Sequence, residues 1–284
     1  MKELRLILLL VLSIMLVGCG SSDDPTTPDP DDGTTAVAYY PGNIGSSFTY
    51  NTDTALVNTN FSQVGTRVST FDGTINIGPV EYIVQKNIST IAGNSFESML
   101  NFRRTSSGLY LSIDTTGFSS ALDEILTDSL VASVISGFEI DPELNALSLP
   151  LFDGKEWAAF KFNVVISFLG VNLPITVIEV NAKYMGKESI VIPALNDARE
   201  SEKIQYTLIF SLPDRNNPIN FTNPQNPINL ISTEFSGYGW YTKDVGLTKL
   251  EGSALLINSI SGNGIDLGDS ASVVRETLVN YELK

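Results

Sequence analysis

Residues 158–168 read Ala158-Ala159-Phe160-Lys161-Phe162-Asn163-Val164-Val165-Ile166-Ser167-Phe168, and this stretch decides the fold class. Ala158, Phe160, Phe162, Val164, Ile166 and Phe168 are apolar at every second position, with Lys161, Asn163 and Ser167 between them. Successive side chains of a strand point to opposite faces, so a period of two means one packed face and one wet face. The pattern returns in Ile178, Val180, Ala182 and Tyr184 against Glu179, Asn181 and Lys183, and again in Ile204, Tyr206, Leu208 and Phe210. Residues 169–173, with Gly170, supply a hairpin connection between the first two copies. Shorter matches are Val80-Tyr82-Val84, Leu109-Leu111-Ile113 and the terminal Val279-Tyr281-Leu283. Strands buried on both faces would show continuous apolar runs instead. The alternation therefore predicts a mainly β, β-rich α+β protein: a large curved antiparallel sheet or half-barrel.

Just upstream, the period changes. Ser120 and Asp123 form a capping box, and Leu122, Leu126, Leu130, Val134 and Phe138 follow at spacing four, with Ile125 and Ile135 widening the stripe before Gly137. This spacing predicts one main helix on the concave side of the sheet. Its functional reading is a plug or lid over a hydrophobic groove, with Leu122, Leu126, Leu130 and Val134, together with Phe160 and Phe162, as the ligand-contacting residues. Ordinary core packing produces the same stripe.

At the N-terminus, Lys2 and Arg5 precede an apolar run over residues 6–17 that ends in Leu16-Val17-Gly18-Cys19. About 12 apolar residues suit a signal peptide, whereas a membrane span needs roughly 20. Residues 1–18 are thus read as a signal peptide. The Leu16–Cys19 tetrapeptide resembles the lipobox of bacterial lipoproteins. That resemblance implies cleavage before Cys19, a diacylglyceryl thioether on Cys19 and a third acyl chain on the new amino terminus. Each buried methylene contributes about 0.8 kcal/mol, so several chains anchor firmly where one would exchange. Gly20, in place of the aspartate that retains lipoproteins at the inner membrane, implies the outer membrane. Ser21-Ser22-Asp23-Asp24 resembles the acidic signals that carry some lipoproteins to the cell surface. The expected location is the outer membrane, lipid-anchored, on its periplasmic face or at the cell surface.

Residues 19–38 hold the lipidated cysteine and an acidic tether. Residues 20–35 are almost entirely Gly, Ser, Thr, Asp and Pro, a composition that buries no apolar surface. Its root-mean-square span is roughly 20–25 Å and its contour about 55 Å. Asp23, Asp24, Asp29, Asp31 and Asp32 repel one another and extend it. Residues 39–284 are read as a single β-rich, half-barrel-like domain. The whole chain carries a net charge of −15, one unit more negative once Lys2, Glu3 and Arg5 leave with the signal. Nucleic-acid affinity depends on neutralising phosphates with Lys and Arg, so nucleic acid is not an expected partner. Cys19 is the only cysteine, and its acylation leaves no disulfide to support the core.

Three further phrases carry a resemblance. Tyr40-Pro41 with Gly45-Ser46-Ser47-Phe48-Thr49-Tyr50, then Gly186-Lys187-Glu188-Ser189-Ile190-Val191-Ile192-Pro193-Ala194, then Trp240-Tyr241-Thr242-Lys243-Asp244-Val245-Gly246-Leu247, recur in this order in bacterial lipoproteins. Such proteins resemble the half-barrel lipoprotein carriers and receptors of the periplasm. The resemblance covers residues 39–284 and implies a curved antiparallel sheet around helices with an apolar cavity for acyl chains. It carries over no ligand residue, because the phrases mark strand ends. Where the family has Pro-Ala-Gly-Thr-Phe, this chain has Pro193-Ala194-Leu195-Asn196-Asp197.

Enzyme chemistry is tested by subtraction. The chain has no histidine, which removes histidine triads, histidine-ligated zinc and imidazole acid–base catalysis. No serine is followed three positions later by lysine, and neither Gly154-Lys155 nor Gly186-Lys187 lies in a phosphate-loop pattern. Only carboxylate chemistry survives: Glu139, Asp141, Glu143 and Asp153 offer a glycosidase pair, or simply solvated loop acids. Residues 214–229 and Asn263, Asp266 and Asp269 offer oxygen ligands to calcium without the spacing of a known loop, and turn chemistry explains them equally. Trp157, Trp240 and Tyr241 suit either sugar stacking or packing. The expectation is a non-enzymatic lipoprotein with no cofactor and no metal that binds an apolar, acyl or lipid-like ligand in a half-barrel cavity. The alternative is a structural or adhesive envelope module with a filled core that binds an envelope protein, and the remote one a carboxylate-dependent glycan hydrolase.

Overall fold

The alternating segments pair into a sheet whose winding is set by its connections. The computed structural model describes residues 35–56, 60–113, 135–168, 171–214, 229–261 and 272–284. Among them, thirteen strands make one antiparallel sheet. They are β1 (Ser47–Leu56), β2 (Ser62–Ile77), β3 (Val80–Ile91), β4 (Asn94–Thr105), β5 (Gly108–Ser112), β6 (Ile135–Ile140), β7 (Glu143–Ser148), β8 (Glu156–Phe168), β9 (Val171–Ile192), β10 (Asp197–Pro213), β11 (Leu230–Thr242), β12 (Gly246–Ser253) and β13 (Ser272–Glu282). Two short helices, α1 (Ala36–Tyr39) and α2 (Ala254–Ser261), accompany them. No described helix is long and apolar enough to cross a membrane.

The strand order is β6-β8-β9-β10-β11-β12-β13-β1-β2-β3-β4-β5-β7. Most neighbours are consecutive hairpins. Two departures shape the molecule. The last strand sits between β12 and β1, with Phe48 opposite Tyr281 and Leu56 opposite Ser272. Strands β6 and β7, separated only by Asp141 and Pro142, lie at the two opposite edges. So short a link joins both edges only when the sheet curls until they meet. No ladder seals the seam. Instead Tyr206 Oη donates to the Ala146 carbonyl (2.6 Å), Trp157 Nε1 to the Asn145 carbonyl (2.9 Å) and the Asp141 amide to the Lys161 carbonyl (3.0 Å).

The inward rows of β8, β9 and β10 are those the alternation indicates. Phe160, Phe162, Val164, Ile166, Val180, Ala182, Tyr184, Ile204, Tyr206 and Leu208 are all buried. A register shift between Ala158 and Phe160 swaps faces at the start of β8, so Ala159 is buried and Ala158 exposed. α2 presses Leu256, Ile257 and Ile260 into the interior. It approaches β11 and β12 where Gly237 pairs with Gly252. A Cβ on Gly237 would stand 3.1 Å from Leu256 and 3.2 Å from Ile257. Bare backbone there leaves room for the helix.

The helix expected over residues 120–138 needs correction at its end. Residues 114–134 lie outside the described residues, and Leu122, Leu126, Leu130 and Val134 with them. Ile135 to Ile140, however, is strand β6, with Ile135 opposite Ile166, Phe138 opposite Val164 and Ile140 opposite Phe162. Branched and aromatic residues favour an extended backbone, and the free edge of β8 supplies hydrogen bonds that a last helical turn lacks. The packed chain also starts earlier than Tyr39: Ala36, in α1, is fully buried.

Candidate functional site

The winding gives the half-barrel two different ends. At one end β1 begins, with Ser47 opposite Thr70 and Glu282, and the chain entering from residue 35 covers it. Tyr40 packs its ring edge-on against Phe102 (5.0 Å between centroids) and stacked on Phe71 (5.8 Å). Arg104 Nη1 donates to the carbonyls of Tyr40 and Gly42, both at 2.8 Å, and the Asp244 amide donates to the Ala38 carbonyl (2.7 Å). Tyr39 and Tyr184 both donate to the Glu202 carboxylate, at 3.1 and 2.5 Å. This end is closed.

Behind the closure the interior turns polar. Arg67 and Ser69 on β2, Gln85, Asn87 and Ser89 on β3, and Glu276 on β13 are all buried. Arg67 Nε donates to both Glu276 oxygens (2.9 and 3.1 Å) and Nη2 to Oε2 (2.5 Å). Its Nη1 reaches Ser69 Oγ and Asn87 Oδ1, which also accepts from Ser69 Oγ (2.6 Å) and Gln85 Nε2 (2.8 Å). Arg67 lies 4.2 Å over the Tyr50 ring, and Tyr40 Oη donates to Gln85 Oε1 (2.6 Å). Burial pushes the Tyr40 phenol up to about 12, against the pull of Arg67 and Arg104. Burial also works against the Arg67 charge, but the Glu276 carboxylate outweighs it and holds the guanidinium more firmly protonated than a free one. Guanidinium and carboxylate neutralise each other out of solvent, so the cluster braces the interior and offers no proton to a substrate.

The other end is a mouth. There β1 ends at Leu56, β8 turns into β9 and β10 gives way to β11. Leu56, Phe96, Phe138 and Ile231 belong to inward rows: they pair with Ser272, Ser89, Val164 and Leu212, and Ser272 and Leu212 stand two places along their strands from Val274 and Phe210. Yet they are 56%, 47%, 46% and 58% exposed. Beside them Ile135, Leu173, Ile175, Ile178, Phe210 and Phe235 are partly buried against the core, and Phe210 meets Phe235 edge-on at 6.0 Å. An apolar wall thus opens to solvent at the end away from residue 35. Phe160 and Phe162 lie further inside, 4% and 0% exposed, within the packed core. Leu56, Phe96 and Ile231 escaped the sequence reading because each sits near a strand end, where alternation alone does not separate a solvated position from an open interior, and Phe138 was placed there on a helix. Topology supplies that distinction.

Depressions mark the outer face among the described residues. One of 410 Å³ lies over β8, β9 and β10, lined by Glu156, Trp157, Asn181, Lys183, Gln205 and Thr207. Another of 450 Å³ runs between Ile190, Val191 and Pro193 on one side and Asn51, Asp53, Lys249 and Arg275 on the other. Trp240 is buried on the outer face between Lys203 and Lys249, whose amines stand 5.0 and 4.3 Å from its ring. Tyr241 faces inward and shares a hydrogen bond with Tyr206 (2.9 Å). Neither ring is free to stack on a sugar.

The candidate carboxylates do not converge. Glu139 accepts from Asn163 Nδ2 (3.3 Å), Asp141 from the Lys161 amide (2.7 Å), and Glu143 from Arg103 (2.5 and 2.6 Å) and Tyr82 (2.6 Å). Burial acts to raise the Glu143 carboxyl, and the bonds from Arg103 and Tyr82 outweigh it and hold it below the ordinary carboxylate range. Among the described residues no cluster of three or more acids could hold a metal ion. Cys19, residues 215–228, Asn263, Asp266 and Asp269 lie outside the described residues.

No protein-family model matches the chain, and no curated protein does. Solved structures similar to it include the following three. A Bacteroides fragilis protein inferred to be exported, with a YmcC-like fold, has a TM-score of 0.44 at 13% identity, covering 86% of this chain and 98% of that one. A Parabacteroides distasonis protein inferred to be a lipoprotein gives 0.43 at 13%, with the same coverage. The hypothetical lipoprotein YmcC from Escherichia coli gives 0.30 at 11%, covering 82% of this chain and 84% of its own.

Proposed function

We propose that this chain is a non-enzymatic, lipid-anchored protein of the bacterial outer membrane that binds an acyl or similarly apolar ligand at the mouth of its half-barrel. The observation that carries this reading is the exposure of Leu56, Phe96, Phe138 and Ile231 on inward rows. Large apolar side chains that point into a sheet's concavity and stay wet favour an apolar occupant, at about 25 cal/mol for each Å² covered. The anchor rests on Leu16-Val17-Gly18-Cys19. The lack of histidine and the separate partners of Glu139, Asp141 and Glu143 support a binding role over catalysis.

Residues 34–284 form one compact unit, and native mass spectrometry of that unit, purified without detergent from a lipid-rich host, tests the reading. The expected result is one apolar molecule per chain, lost in Phe210→Gln. A bare mass that stays unchanged when fatty acids and phospholipids are added overturns it. A second reading, an envelope interaction module with a filled core, is favoured by the solid interior around Arg67 and Glu276, and that bare mass is what it expects.

A further inference from the structure

Strands β2 and β3 outrun their neighbours. β1 follows β2 only as far as Thr70, and β4 follows β3 only to Ile83. Beyond those points residues 72–82 form a two-stranded ribbon at the closed end, where Thr35 also stands; Tyr82, at its root, is buried and donates to Glu143 (2.6 Å). A register shift between Phe71 and Gly73 changes which residues share a face. After it, Ile75 pairs with Tyr82 and Ile77 with Val80, while Thr74 pairs with Ile83 and Asn76 with Glu81. The ribbon is therefore amphipathic. Ile75 and Ile77 are 44% and 41% exposed, and the tip, Ile77-Gly78-Pro79-Val80, has no polar side chain. Hairpin tips ordinarily carry Asn, Asp or Ser, and a lone two-stranded ribbon is marginal in water.

We propose that this ribbon docks on the lipid bilayer that holds the anchor, inserting its apolar tip among the acyl chains. The proposal rests on the lipid-anchor reading. Between Cys19 and Thr35 the chain reaches at most about 55 Å. The ribbon runs six residues beyond Phe71, about 20 Å, at the end of the half-barrel where Thr35 stands. A tether this short keeps the tip at an effective concentration on the order of millimolar next to the bilayer, so weak apolar insertion suffices. Asp72 and Glu81 are the only charged residues of residues 71–84, which leaves the contact without electrostatic attraction to anionic headgroups. Docking in this way turns the mouth away from the membrane.

The test uses the mature, lipidated full-length protein in phosphatidylcholine vesicles. Acylation consumes the thiol of Cys19, so Ile77→Cys provides the sole site for an environment-sensitive fluorophore, and Val171→Cys at the mouth is its control. The expected result is blue-shifted emission at position 77, quenched by nitroxide lipids and indifferent to salt, with position 171 aqueous. Adding Ile75→Asp, an exposed change, reduces the quenching severalfold. An aqueous probe at 77 on protein that still floats with the vesicles overturns the docking and leaves the anchor standing. A disulfide between two Ile77→Cys chains overturns it in favour of a second copy of this chain. An unmodified Cys19 by mass, with protein free of vesicles, removes both.

Discussion

Arg67 is the residue that most departs from what its sequence neighbourhood suggests. In residues 67–69 the apolar member is Val68, and in residues 87–89 it is Ile88, yet these two are 37% and 42% exposed while Arg67, Ser69, Asn87 and Ser89 face inward. The inversion holds because the partners complete one another, and the Arg67 and Glu276 that do so stand 209 positions apart. A single sequence gives no sign of that pairing, so the hydrophobic pattern reads β2 and β3 with the wrong face inward. Removing one member strands the other charge in the interior. Arg67→Met should cost about 3–5 kcal/mol in urea unfolding, and Arg67→Met with Glu276→Leu should be less destabilised than the single change. A single variant as stable as the parent would show that solvent reaches Glu276.

Legibility differs from element to element for the same physical reason. β8, β9 and β10 were readable because one face is solvated and the other packed, so their alternation survives except where the register shift after Ala158 turns Ala159 inward. α2 was not: its eight residues, Ala254–Ser261, have no acidic residue in the first turn and no basic residue in the last. A signal did exist in Gly237, Gly239 and Gly252, since glycines within strands mark places where another element comes close. Gly252 is the stricter of these, because a Cβ there would lie 2.3 Å from Gly237 Cα, which is backbone and cannot turn aside. Gly252→Ala should therefore destabilise by roughly 1–3 kcal/mol, seen as a lower melting temperature. Gly73→Ala, with no atom within 4 Å of the added carbon, should change little. The mouth was legible only as an expectation of an apolar concavity, because which inward positions stay wet depends on where neighbouring strands stop.

For the molecule as a whole, the interior depends on phenols that stay protonated. Burial raises Tyr40 to about 12 and lifts Tyr50, Tyr184, Tyr206 and Tyr241 above the ordinary tyrosine value. A group whose folded value is raised lends stability that is complete below its unfolded value, about 10 for tyrosine, and lost as pH climbs through the folded one. Alkaline titration should accordingly show two stages in phenolate absorbance. In the later stage the buried set ionises, together with loss of the β-sheet circular dichroism. A single smooth rise with the sheet intact would contradict the closed interior. The place of β13 has a different consequence. Flanked by β12 and β1, it is the strip that joins the two halves of the sheet, although it comes last of the described strands in chain order. Until β13 is in place, β1 and β12 have no partner on one side, and contacts so distant in sequence close slowly. Without β13 the molecule would lose its middle rather than an edge, since β1 and β12 would each be left with a bare side and the sheet would part in two.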